Sequence, residues 1–218
     1  MRVVSDRWKA RRYTRVLSTT EMILKGNKVL LREAEERDRR HIYEWLAHSD
    51  LTPSMMGPPS YPDHPIPTWE EFCADYRPHY FDGSDPTQGR CFVVVVENTD
   101  LGVVCYNTID RSNGRTDVDI WLRAENDCGK GYGSDALRTL GDYLHAHFGI
   151  VQLVVLPSAR NRRAIAAYMK AGFTQVSLES YRLYVKIEEM EYTDNVVLVK
   201  KYEHNNAFNA DAPKWRAG

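Results

Sequence analysis

The residues best suited to chemistry lie at positions 128–134, in the run CGKGYGS. Three glycines at alternate positions are costly in chain entropy unless the backbone must pass close to something. The run falls between a strand pattern and a helix pattern. There the first helical N–H groups have no intrahelical partner and the helix dipole is positive. A glycine-rich chain at such a junction lets those N–H groups converge on phosphate oxygens, and Lys130 adds a point charge. The bland alternative is a glycine-rich turn with no ligand. Two familiar phosphate loops do not fit. A P-loop needs GxxxxGK followed by Ser or Thr, but Gly131 follows Lys130. A dinucleotide fold needs GxGxxG and an acid about 20 positions on. Here the spacing is GxGxG, and the next strand, IVQLVVLP, carries no acid.

Asp117 and Asp119 form a second candidate site. They lie two apart in RTDVDIWL, so their side chains share one sheet face. Two carboxylates on one face repel unless a cation joins them, and an ammonium group would be such a cation. Either aspartate then serves as a base or as an anchor for an amine. The alternative is a solvated edge with Arg115 or Arg123 as partner. Cys128 precedes a helix N-terminus, where thiol pKa values can fall. The four cysteines form no CxxC pairs and the histidines are scattered, so no metal site is expected.

These residues need elements to hold them. NKVLLRE (27–33) alternates as a strand does, and a helix follows with Ile42, Trp45 and Leu46 on one face. The proline-rich stretch 55–67 reads as a loop, and the capping box Thr68-Trp69-Glu70-Glu71 starts a second helix. Strand patterns follow at 91–97, 102–109 and 116–123, with DRSNG (110–114) as a hairpin turn. After the glycine loop, Ala136, Leu137, Leu140, Tyr143, Leu144 and Phe148 keep helical spacing, and Gly149 closes that helix. A buried strand at 150–156, a helix ended by Gly172 and further strands towards Lys201 complete the order β-α-α-β-β-β-α-β-α-β-β. That order is an α/β domain with a mixed sheet.

The chain has 218 residues, enough for one domain with tails. A net charge of −1 provides no global field for nucleic acid or an anionic membrane. The longest apolar run, FVVVV, is too short to span a bilayer, and no secretory signal is visible. Reduced thiols in a cytoplasmic protein are the simplest reading of the cysteines. Residues 1–26 are basic and read as an N-terminal extension, with an RNA- or ribosome-docking arm as the rarer alternative. Residues 203–218 read as a tail, leaving 27–202 as the domain.

The run TDVDIWLRAENDCGKGYGSDALRTL, followed by VVLPSARNRRAIAAYMKAGF, resembles the GNAT superfamily of N-acetyltransferases. Gly131 and Gly133 match the glycines of that family's [Q/R]-x-x-G-x-[G/A] pyrophosphate loop, and Cys128 stands where Gln or Arg is usual. Asn161, Ala164, Tyr168, Lys170, Gly172 and Phe173 match its N-x-x-A-x-x-x-Y-x-K-x-G-F signature in full. The chain looks most like the ribosomal-protein alanine, spermidine and aminoglycoside acetyltransferases.

The resemblance implies a single domain with a splayed, mostly antiparallel sheet, and acetyl-CoA as donor. Its phosphates would sit on Gly129, Lys130, Gly131, Tyr132, Gly133 and Ser134, its pantetheine arm on the backbone of Leu122 and Arg123, with Asn161 and Tyr168 beside it. It implies Tyr168 as the acid for the departing thiolate and a strand aspartate as base. Asp117 matches an acidic residue of the ribosomal branch, and Asp119 one of the aminoglycoside branch. Arg160, Arg162 and Arg163 would meet the cofactor's ribose phosphate or form a solvated basic cluster. Trp45, Met55, Met56, Tyr61 and Trp69 would line the acceptor pocket or pack as core. The expected acceptor is a small-molecule or peptide amine, with polyamine, aminoglycoside and protein N-terminus all open, as is a homodimer. The rival function is a non-catalytic acyl-CoA-binding module of the same fold.

Overall fold

The computed structural model describes residues 22–55, 66–177, 179 and 194–203. Met56 and Tyr61, most of the proline-rich loop, and nearly all of both terminal segments lie outside these residues.

Strands β1 (Ile23–Lys25), β2 (Leu30–Glu33), β3 (Arg90–Val96), β4 (Thr99–Tyr106), β5 (Arg115–Leu122), β6 (Gln152–Val155), β7 (Thr174–Val176) and β8 (Val197–Lys201) form one sheet in the order β1-β2-β3-β4-β5-β6-β8-β7. Every neighbouring pair is antiparallel except β5 with β6. The parallel pair has only three matched positions, Arg115 with Gln152, Thr116 with Leu153 and Asp117 with Val154. Beyond Asp117, β5 runs on to Leu122 without a strand paired on that side among the described residues. Because β6 must run parallel to β5, the chain crosses over through a helix, and that helix brings the glycine loop to the gap.

The sheet is covered on both faces, which explains the unalternating FVVVV run. Phe92 and Val94 face one core with Val104, Leu137, Leu140 and Leu153, under α5 (Tyr132–Phe148) and α6 (Arg162–Lys170). Cys91 and Val93 face the other core with Ile42, Phe72, Cys105 and Trp121. That face is closed by α1 (Glu36–Ala47), α3 (Trp69–Asp75) and α4 (His79–Asp82), with the one-turn α2 (Thr52–Met55) after α1.

The expected helices, the Thr68 capping box and the Gly149 cap are present. Four additions are local. β1 lies inside the stretch read as an extension, and three residues are too few to show a period. The single turns of α2 and α4 are likewise below the window in which periodicity can be read. The fourth is the β3–β4 turn at Glu97 and Asn98, both at positive φ (48° and 59°). This suits the tight primed turns of hairpins.

Candidate functional site

A cleft of about 200 Å³ opens where β5 and β6 part. Its floor is β5, with Ile120, Trp121 and Leu122. The Arg123 N–H donates to the Leu101 carbonyl at 2.8 Å, and the Asp117 carbonyl accepts from the Asn107 N–H at 3.0 Å. Main-chain groups alternate sides along a strand, so residues 117, 119, 121 and 123 turn theirs to β4. Val118, Ile120 and Leu122 turn theirs to the open edge. Of the expected pair, Leu122 therefore faces the cleft, whereas the Arg123 N–H is already engaged and its guanidinium binds Asp127 at 2.8 Å.

The glycine loop forms one end. Gly129 and Gly131 have φ of 75° and 86°, a region unfavourable to any residue with a Cβ. Gly131 is the N-cap of α5, and its carbonyl accepts from the Asp135 N–H at 3.1 Å. The N–H groups of Tyr132, Gly133 and Ser134 thus precede the first intrahelical bond, at the positive end of a 17-residue helix. A Cβ on Gly133 would sit 3.6 Å from Ile120 Cδ1, so helix and strand are in close contact there. The Ser134 hydroxyl donates to the Ala167 carbonyl at 3.1 Å, which ties α5 to α6. Lys130 is exposed and does not line the cleft, while its carbonyl accepts from Lys28 Nζ at 2.9 Å.

The loop is held from behind by Asp135. Its Oδ2 accepts from the backbone N–H groups of Lys28 at 2.6 Å and Val29 at 3.2 Å, and its Oδ1 meets Arg138 at 3.3 Å.

The other wall is α6. Asn161 caps it, its Oδ1 accepting from the Ala164 N–H at 3.1 Å, and lines the cleft. Tyr168 lines the cleft with only 8% of its surface exposed, edge-on to Phe173 at 5.7 Å. Arg163 spans the mouth, paired with Glu125 and donating to Ser54 Oγ at 3.3 Å. All three arginines are exposed, and Arg160 is paired with Asp194 at 2.8 Å; of the three, Arg163 lines the cleft. The Cys128 thiol is not lowered by its place before the helix. Burial pushes it up, and the nearby Arg163 only partly opposes this.

Asp117 and Asp119 point to the opposite face of β5, the face of Cys105 and Trp121, and neither lines the cleft. Asp119 is half-buried and its Oδ2 accepts from Asn107 Nδ2 at 3.0 Å. Asn107 Oδ1 accepts in turn from the Tyr80 hydroxyl at 2.9 Å. Burial raises the Asp119 carboxyl above its ordinary value of 3.8, and the Asn107 hydrogen bond opposes the rise. Tyr76 and Tyr80 beside it are pushed up by burial and by the Asp119 charge, so both stay protonated.

Of the acceptor-pocket calls, Met55 lines the cleft. Trp45 is half-buried against the α1–α3 core. Trp69 is half-buried against the same core, on Tyr43 at 5.3 Å and under the Arg40 guanidinium at 4.9 Å, and does not line the cleft. Asn107, Tyr80 and Asp135 are not singled out by the sequence as site residues. Asp135, as an acid in a first helical turn, carried a readable signal, whereas Asn107 and Tyr80 meet only through the tertiary fold.

The profile of the family described as Acetyltransferase (GNAT) domain matches residues 28–174. No curated protein matches the chain in sequence. Among solved structures, AAC(6')-Ib in complex with paromomycin and acetyl-CoA is 21% identical, covering 85% of this chain and 100% of its own, with a TM-score of 0.59. A spermidine N-acetyltransferase from Vibrio cholerae, with CoA and spermine, is 20% identical over 80% of this chain and 95% of its own, also at 0.59. A structure described as a ribosomal-protein-serine acetyltransferase from Vibrio cholerae is 13% identical over 83% and 98%, again at 0.59. At these identities the likeness is one of fold.

Proposed function

The chain belongs to the GNAT acetyltransferase family, and on that premise we propose that it transfers the acetyl group of acetyl-CoA to a primary amine. The observation that carries the proposal is the coincidence, in one cleft, of an unpaired strand edge, a helix N-terminus and Tyr168. The cleft suits the donor. Ile120 and Leu122 present main-chain groups to which a pantetheine amide would hydrogen-bond, in the manner of a strand added to an edge. The N–H groups at the start of α5 would hold the pyrophosphate. Gly133, Ala164 and Ala167 keep the walls short and leave room for the arm. Asn161 and Arg163 stand over its far end.

Bound acetyl-CoA would supply the acyl carbon as a thioester. Asp119, from the other face of β5, takes a proton from the incoming ammonium so that its nitrogen can attack. A carboxyl titrating above the usual range is a stronger base than an exposed one, which suits that task. Tyr168 would give its phenolic proton to the sulfur as the C–S bond breaks, and its phenolate would take the second proton that the acylated nitrogen sheds. Asp117 shares the face of Asp119 and would help anchor the amine. The catalytic unit in this reading is residues 27–202 together with β1. Among the described residues no helix is long and apolar enough to cross a membrane, and the free thiols suit a cytoplasmic setting.

The test is release of CoA thiol from acetyl-CoA with spermidine, with kanamycin and with a peptide beginning in Ala. Release with one class of amine is expected. Tight CoA binding with no release for any amine would favour the acyl-CoA-binding module.

A further inference from the structure

Asn107 is tied to the strand that carries both aspartates. Its N–H donates to the Asp117 carbonyl at 3.0 Å, and its own carbonyl accepts from Thr116 Oγ1 at 2.8 Å. Its backbone therefore cannot drift relative to β5. Its side-chain amide lies between Tyr80 and Asp119, at 2.9 Å and 3.0 Å. An amide has one acceptor end and one donor end. With Tyr80 giving its O–H to Oδ1, the NH2 end must face Asp119. The reversed amide would set an oxygen against a carboxylate.

We infer that Asn107 is a positioning residue of the transfer, held by Tyr80 so that its N–H aims and steadies the Asp119 carboxylate. The inference rests on the reading of Asp119 as the base. A carboxylate penalised by desolvation serves as a base at neutral pH only if something keeps it ionised before the amine arrives. A single neutral donor does that without locking the group into a salt bridge, which would make it a poor base. Among the described residues, the ionisable groups around Asp119 or on its face are Tyr76 after α3, Tyr80 on α4, Cys91 on β3, Cys105 on β4 and Asp117 on β5. Arg77 acts on Tyr80 from the α3–α4 connection. The tyrosines and Cys105 are held neutral by burial, which leaves the Asn107 amide as the hydrogen bond opposing desolvation of Asp119.

The experiment is a carbon-detected NMR titration of the aspartate carboxyls in the full chain, with Asp119 assigned by its loss in Asp119→Asn. Tyr80→Phe removes one hydroxyl and keeps the ring in the core. Asn107→Leu removes the donor itself. A hydrogen bond to a charged group is worth enough to move a midpoint by about one to two pH units. Both variants should raise the Asp119 midpoint by about that amount, and the double variant should raise it no further than Asn107→Leu alone, because the two act in series. Midpoints that stay in place in both single variants overturn the inference. Thiol release separates this from the reading beneath it. Undiminished release by Asp119→Asn with an amine the wild type accepts overturns the base assignment, and the positioning role with it. Lost release together with unmoved midpoints overturns the positioning role alone.

Discussion

Replacing Asp135 with Ala is the sharpest test of how the glycine loop is held. The side chain is 1% exposed and accepts two backbone N–H groups from the β1–β2 turn. The Val29 N–H is buried, and loss of its charged acceptor costs about 1.5–3 kcal/mol. The Lys28 N–H is only partly buried, so water replaces part of its bond and the cost is about 1 kcal/mol. Arg138 is 40% exposed, and that ion pair contributes well under about 1 kcal/mol. A negative charge in the first turn of α5 adds about 0.3–1 kcal/mol. The expected loss is about 4 kcal/mol, or roughly 8–16 °C in Tm for a domain of this size. Asp135→Asn retains shape and one acceptor, and should lose about half as much. Asp142→Ala, on the same helix but with a side chain 70% exposed, should change stability by less than about 1 kcal/mol. Urea unfolding followed by far-UV dichroism reads all three. A loss below about 1 kcal/mol for Asp135→Ala would refute the argument that this carboxylate anchors the loop.

Four further outcomes are expected. Tyr168→Phe should slow thiol release about a hundredfold or more while leaving the Kd of CoA, measured by calorimetry, unchanged. Gly131→Ala and Gly129→Ala each force a Cβ into the left-handed region at about 1–2 kcal/mol; both should lower Tm and weaken CoA binding, whereas Gly133→Ala, at ordinary contact with Ile120, should leave Tm unchanged or higher. Because Asp119 titrates above 3.8 when folded, its ionisation penalises the native state. The penalty is absent below that value and grows as pH rises through the folded midpoint, so Asp119→Asn should be more stable than wild type at pH 7 and gain less at pH 4. An aromatic disulfide reagent should label the half-buried Cys73 and Cys128 in the native protein, and the fully buried Cys91 and Cys105 only after unfolding.

Much was legible in the sequence because the signals were local. The α5 pattern, its Gly149 cap, the Thr68 capping box and the glycine loop each depend on residues within a few positions of one another, where propensity and periodicity act. Asp117 and Asp119 could be placed on one strand face by alternation alone. What alternation could not decide was which face, because β5 is covered on both sides. The answer came from Trp121, whose indole N–H donates to the Ile42 carbonyl at 3.1 Å and so turns the odd-numbered residues towards α1. The same limit applies to Leu122 and Arg123. Their main-chain directions follow from the β4–β5 register, which sets Gly102 against Leu122 and brings the Arg123 N–H to the Leu101 carbonyl. The meeting of Tyr80, Asn107 and Asp119 joins α4, the β4–β5 connection and β5, far apart along the chain. Residue types and spacing determined what chemistry this chain can carry, because those depend on neighbours in sequence. Which groups face the cleft, which are already engaged, and which stand behind the aspartate were decided only by sheet order and burial, which depend on neighbours in space.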